Sequence, residues 1–193
     1  MRILGLGRRT KPRELLLRSF GRGGVGAEIG VFRGDFSEQI LLHVRPHRLH
    51  LIDPWKFEPA AEYEHSVYGS ARAGGQSDLD AIYRSVRERF DHEIQVGTVV
   101  IHRMPSEESA ASFADEYFDW VYIDGNHLYE FVMRDLESYY PKVKPGGLIT
   151  GDDYGLKGWW NDGVKRAVDE FAQRSGCNRL RTLGTQFTLR RRK

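Results

Sequence analysis

A doubly wound α/β sheet, mostly parallel with one antiparallel strand near its edge, is the fold the sequence predicts. Five strand-like segments alternate with helical patterns, and the chain closes on two apolar runs flanking Gly184-Thr185, a hairpin signature. The fourth and fifth of those strands, moreover, both run directly into carboxylates.

The elements follow in order. Residues 12–20 read as a basic helix and residues 25–31 as the first strand. A helix is predicted over 36–44, where Asp35 and Glu38 have the spacing of a capping box. The second strand, 48–52, ends at Asp53-Pro54, and residues 55–76, with Gly69, Gly74 and Gly75, read as irregular. Over 78–90, Leu79, Ile82, Tyr83, Val86 and Phe90 share one helical face. A strand at 98–102 leads through Pro105 into a short helix at 106–114. Next come a strand at 120–123, a helix at 128–140, and a strand at 148–150 entered through Gly146-Gly147. A helix over 164–174 stops at Gly176, and residues 180–183 and 186–189 form the hairpin.

The 193 residues favour a single domain, 1–193, with a core of its own. The apolar runs are too short to cross a bilayer. The lone Cys177 cannot form an internal disulfide, which fits a reducing cytoplasm. The net charge of +2 is uneven. Residues 1–22, a basic N-terminal arm, carry seven Lys/Arg against Glu14, and residues 190–193 are all basic, which leaves 18 basic and 26 acidic residues for the body. No basic face that follows phosphates is evident, so nucleic acid is not the expected partner, and the basic ends read as solvated termini. The expected partner is a small molecule, with no membrane and with self-association left open.

The first crossover argues against a dinucleotide. Gly-x-Gly-x-x-Gly directly after the strand would let amides approach a pyrophosphate. The turn here is Glu28-Ile29-Gly30-Val31-Phe32-Arg33-Gly34, and a carboxylate beside it suits a ligand carrying an ammonium and a sulfonium, the charge pattern of S-adenosylmethionine. Glycines needed only for a tight turn explain it about as well. Asp53, closing the second strand, can accept ribose hydroxyls, or it can simply start an Asp-Pro turn.

Asp124 and His127 follow the fourth strand and Asp152-Asp153 the fifth. In an open parallel sheet, neighbouring strands deliver their C-terminal ends to one crevice. Three aspartates gathered there repel one another and stay partly protonated unless a cation holds them. Each has a bland competitor: Asp124 as a turn residue before Gly125, His127 in a helix start capped by Asn126, Asp152-Asp153 as an Asx-type turn. Together they favour a metal site.

The stretch Phe118-Asp119-x-Val121-x-Ile123-Asp124-Gly125-x-His127-x-Tyr129-Glu130, followed by Asp135-Leu136, Gly146-Gly147 and Asp152-Asp153-Tyr154, resembles class I S-adenosylmethionine-dependent methyltransferases. It is nearest to the small-molecule O-methyltransferases of sugars and antibiotics, which include metal-dependent members. The resemblance covers about residues 25–154 and implies a Rossmann-like, seven-stranded sheet in the order 3-2-1-4-5-7-6. It implies that Glu28, Gly30 and Gly34 line the methionine end of the cofactor, that Asp53 holds its ribose, and that Met104 and Ser106 lie near adenine. Asp124, Asp152 and Asp153 match the metal ligands of such members, with His127 beside the reacting hydroxyl. The match fades over 55–80, where substrate choice resides.

The chemistry implied is methyl transfer from S-adenosylmethionine to a hydroxyl of a small polyhydroxylated acceptor. Mg²⁺ takes oxygen ligands and leaves positions for substrate, so two neighbouring hydroxyls can chelate it, which lowers their pKa and fixes one against the methyl group. An imidazole titrates near neutrality and suits His127 to take the proton. The alternatives are a metal-independent methyltransferase and a non-catalytic adenosylmethionine- or nucleotide-binding module. Two aromatic-rich segments, 55–68 and 154–160, flank the strand ends and can form a substrate rim or pack as core.

Overall fold

The computed structural model describes residues 12–69 and 74–193, apart from the side chains of 178–180. The expected N-terminal arm is thus described from Pro12 onward, and residues 70–73 of the 55–80 segment lie outside the described residues.

Helix α1 (Pro12–Leu17) precedes strand β1 (Val25–Ile29), helix α2 (Asp35–His43) and strand β2 (Arg48–Ile52). A 3₁₀ turn at Ala61–Tyr63 lies in the irregular stretch before α3 (Gln76–Arg89) and a short α4 (Asp91–Gln95), which the sequence pattern did not reveal. Then come β3 (Val99–His102), α5 (Ser106–Ala111), β4 (Phe118–Ile123), α6 (Tyr129–Tyr139) and β5 (Val143–Gly151). Helix α7 (Gly163–Ser175) and the hairpin strands β6 (Asn178–Leu183) and β7 (Gln186–Arg190) finish the chain. The sheet order is β3-β2-β1-β4-β5-β7-β6. The first five strands are parallel, and β7 runs antiparallel to both β5 and β6.

Strand alternation explains the two cores. In central β4, Trp120 and Tyr122 face one side with Leu49, Leu51, Phe36 and Ile40, while Val121 and Ile123 face the other with Val132, Leu136, Val168 and Phe171. A strand covered on both faces is apolar along its buried length, as β4 is from Trp120 to Ile123. Leu16 and Leu17 of α1 are each 1% exposed and belong to the first of these cores. Burial of side chains of this size contributes ~1.5–3 kcal/mol each, so α1 is anchored although only six residues long.

Two expectations change. No side-chain cap closes α2; Gly34 stands at its N-cap, and Asp35 and Glu38 both pair with Arg89 instead. The basic C-terminus is only partly solvated: Arg190, Arg192 and Lys193 are exposed, but the chain is tied down. Arg191 donates to the carbonyl of Pro141 at 2.9 Å and pairs with Glu116, and Arg192 donates to the carbonyl of Gly176. These bonds cap backbone carbonyls before β5 and at the end of α7, and β5 starts five residues earlier than predicted because Gly146 and Gly147 exchange backbone hydrogen bonds with Arg191.

Candidate active site

The C-terminal ends of β1 and β2 are tied to each other. Gly30 has φ +86°, and a Cβ there would lie 2.1 Å from the carbonyl oxygen of Asp124, so only glycine lets the β1–α2 turn cross the end of β4. Beneath the turn Glu28 is 1% exposed and accepts from the Ser37 hydroxyl at 2.5 Å. Burial, partly offset by that bond, pushes its carboxyl up to about 8. A carboxyl lifted so far is one that an approaching ammonium would ionise again. Gly34, left-handed at φ +76°, starts α2 against Phe90.

Asp53 is 1% exposed. Its Oδ2 accepts from the amides of Val31 and Phe32, both at 2.9 Å, and from the Tyr68 hydroxyl, while its Oδ1 accepts from the Trp55 amide at 2.7 Å. Phe32 (φ +50°) and Trp55 (φ +41°) are held left-handed around it, and the Trp55 indole N–H donates to the Phe32 carbonyl. Strain of this kind persists only where the surroundings over-determine it. Four neutral donors thus serve the two Asp53 oxygens. Met104 is half-buried between β3 and α5. Ser106, the first residue of α5, donates its hydroxyl to buried Asp135, whose carboxyl burial lifts to about 7, and its carbonyl accepts from Tyr139.

At the ends of β4 and β5 the structure brings together Asp124, His127 and Asp153. One ligand atom from each lies within 4.8 Å of the others. His127 Nε2 is 3.0 Å from Asp153 Oδ2 and 3.8 Å from Asp124 Oδ1, yet it is buried and makes no aligned hydrogen bond. Asp153 itself is left-handed at φ +58°. Burial pushes the Asp124 and Asp153 carboxyls up, and His127 pulls both back.

Asp152 stands apart from this group. Its Oδ1 accepts from the Thr185 hydroxyl and from the Asp153 amide at 2.8 Å, and its Oδ2 accepts from Arg13 Nε at 2.8 Å and from Arg13 Nη2. Burial alone would raise its carboxyl, but Thr185 and Arg13 outweigh it and hold it below the usual carboxylate range. Arg13 Nη2 also reaches Asp124 Oδ2 at 2.7 Å. A guanidinium therefore bridges the acids of two neighbouring strands.

Sequence reasoning missed Arg13 and Thr185. Arg13 was counted among solvated terminal charges, and only its place one turn ahead of two apolar residues hinted otherwise. Thr185 is delivered by the β6–β7 turn, because β7 runs back along β5 with Phe187 beside Gly151. Asn126 does not cap α6. It accepts from the Leu128 amide and donates to the Tyr63 hydroxyl, both at 3.0 Å. The two aromatic segments do converge: Tyr63 meets Trp159 edge-on at 5.8 Å, Trp159 meets Trp160 at 5.7 Å, and Trp160 lies 4.6 Å from the His127 ring.

Residues 27–154 match the model of a family described as a methyltransferase domain. The chain belongs to that family. The solved O-methyltransferase NovP superposes on this methyltransferase over 94% of its chain and 80% of NovP, with a TM-score of 0.66 and 20% identity. The N-methyltransferase NodS of Bradyrhizobium japonicum, solved with S-adenosyl-l-homocysteine, superposes over 94% of this chain and 86% of its own, with a TM-score of 0.58 and 16% identity. A protein of Bordetella parapertussis gives a TM-score of 0.62 at 13% identity, and there the chain spans 66% of the neighbour's length. No curated protein sequence matches it. These neighbours establish the fold, and the family gives the class of activity: an S-adenosylmethionine-dependent methyltransferase. Among the described residues no helix is long and apolar enough to cross a membrane.

Proposed function

We propose that this methyltransferase transfers the methyl group of S-adenosylmethionine to a hydroxyl of a small polyhydroxylated acceptor, a sugar or natural product, with a divalent cation such as Mg²⁺ at Asp124 and Asp153. The observation that carries this reading is the convergence of Asp124, His127 and Asp153 within 4.8 Å beside the Gly30 turn. Carboxylate oxygens suit a hard cation, and the buried Nε2 of His127 lies 3.0 Å from Asp153 Oδ2 without an aligned hydrogen bond, which leaves room for rearrangement around an ion. The expected third ligand, Asp152, would have to leave Arg13 and Thr185 to join them.

When bound, the cation would lower the pKa of a chelating hydroxyl and fix it in place. The chain's own residues do the rest. Glu28 and the turn ending at Gly34 receive the methionine end of the donor, with Asp53 toward its ribose and Met104 and Ser106 toward adenine. The acceptor oxygen attacks the methyl carbon, the carbon–sulfur bond breaks, and its electron pair returns to sulfur as S-adenosylhomocysteine. The hydroxyl proton goes to His127, and Asp153 at 3.0 Å stabilises the imidazolium. Trp159, Trp160 and Tyr63 offer aromatic faces to a ring.

A metal-independent reading is favoured by one observation, the guanidinium already seated between Asp124 and Asp152. Release of S-adenosylhomocysteine with vicinal-diol acceptors, with and without EDTA, separates the two. Turnover that stops in EDTA and returns with Mg²⁺ supports the cation, and full turnover in excess EDTA sinks it.

A further inference from the structure

Helix α1 enters the site from outside the sheet. Leu16 and Leu17 plug it into the core under Phe36 and Ile40, and Arg13, one turn earlier, reaches across the Phe36 ring at 5.2 Å to Asp124 and Asp152. The three carboxylates at these strand ends face one guanidinium, Arg13, and one imidazole, His127. Asp124 is shared: Oδ2 faces Arg13, and Oδ1 faces His127. A divalent ion on Asp124 would therefore sit one carboxylate away from the guanidinium, and each positive charge weakens the other's hold.

We propose that Arg13 is a resident cation that competes with the divalent ion for the carboxylates, making α1 a latch over the active site. Without the ion, Arg13 neutralises Asp124 and Asp152 and holds α1 down. Loading the ion weakens the Arg13 pair, frees Asp152 toward Asp124 and Asp153, and loosens α1 from the site. By linkage the effect is reciprocal, so removing Arg13 tightens the ion by the amount that the ion loosens Arg13. The inference rests on the cation reading proposed above.

The test is calorimetric titration of the EDTA-treated full chain with Mg²⁺, for the unsubstituted protein, Arg13→Ala and Arg13→Lys, with hydrogen exchange of residues 12–17 followed in the unsubstituted protein. The expected result is roughly tenfold tighter Mg²⁺ binding in Arg13→Ala, within the range typical of coupled sites. Arg13→Lys, which keeps the charge but loses the guanidinium fork, should gain less than Arg13→Ala. Mg²⁺ speeds exchange in 12–17. Mg²⁺ binding with the same affinity in Arg13→Ala and unchanged exchange overturns the latch while leaving the cation site standing. An equal gain in Arg13→Lys also overturns it, because packing rather than charge would then be responsible. Absence of Mg²⁺ binding in all three proteins, with S-adenosylhomocysteine still bound, overturns the cation reading itself and the latch with it.

Discussion

At the end of β2, Asp53 is ringed by three backbone amides and a tyrosine hydroxyl, all neutral. At the ends of β4 and β5, Asp124, Asp152 and Asp153 face a guanidinium, an imidazole and one another. Both regions carry buried or half-buried acids at the C-terminal ends of parallel strands. Their donors differ in kind. Fixed N–H dipoles can hold one carboxylate permanently, and they do so by shaping the β1–α2 and β2 loops around it. Three carboxylates in one crevice exceed what the nearby amides serve, and the second region is held by charged side chains, Arg13 and His127. An acid satisfied by its own loop builds the site, and an acid that needs a cation is available to work in it.

The contrast is broken most severely at Asp53. Asp53→Ala leaves the amides of Val31, Phe32 and Trp55 without an acceptor, at ~1–3 kcal/mol for each orphaned donor. Chemical denaturation should register a loss of at least about 3 kcal/mol, and Mg²⁺ should not restore it. Recovery of stability on adding Mg²⁺ would mean that the β2 end also relies on a cation.

Asp153→Asn tests the other region. It should lower methyl-transfer turnover by at least about 100-fold, the upper end of what even a supporting partner of a metal site is worth. Its melting temperature without Mg²⁺ should stay level or rise, because one of three mutually repelling charges is gone. Turnover within threefold of the unsubstituted protein would detach Asp153 from the chemistry.

Glu28 sharpens the comparison through pH. Its carboxyl, ordinarily near 4.5, is lifted to about 8 in the folded protein. Between those values the folded state holds a proton that the unfolded chain has lost, so this group makes stability fall as pH rises from about 4.5 to about 8. Binding the ammonium of S-adenosylhomocysteine should ionise Glu28 and release a proton at pH 7, visible as a buffer-dependent binding enthalpy. Glu28→Gln should abolish that dependence. A release that survives the substitution would place the titrating group elsewhere.

The smallest effect belongs to Asp35→Ala. A capping box would cost about 1 kcal/mol to remove. Asp35 caps nothing and its pairing with Arg89 is exposed, so the change should stay under ~0.5 kcal/mol by thermal or chemical denaturation.

The sheet was legible because its signals are local and repeated. Alternation of Trp120, Val121, Tyr122 and Ile123 announces a strand covered on both faces, and the Gly184-Thr185 turn announces the returning strand. The carboxylates were legible because a parallel sheet gathers strand ends. What escaped depends on contacts far apart in sequence. Arg13 and Asp152 are 139 positions apart, and nothing in a basic N-terminal helix says that one of its side chains reaches a crevice. The capping-box spacing at Asp35 and Glu38 misled because left-handed Gly34 takes the N-cap position, which puts Asp35 inside α2, where it and Glu38 turn outward to Arg89. Thr185 followed from the hairpin only once the direction of β7 beside β5 was known.

The most direct test of the central claim is calorimetric titration of EDTA-treated protein with S-adenosylhomocysteine, with and without Mg²⁺, in the unsubstituted protein and in Asp153→Asn. The account predicts micromolar binding of S-adenosylhomocysteine in both proteins and a Mg²⁺ binding event that only the unsubstituted protein shows. Absence of S-adenosylhomocysteine binding under every condition would contradict the assignment of the β1 and β2 ends to the methyl donor, and equal Mg²⁺ binding in both proteins would contradict the division of labour between the two regions.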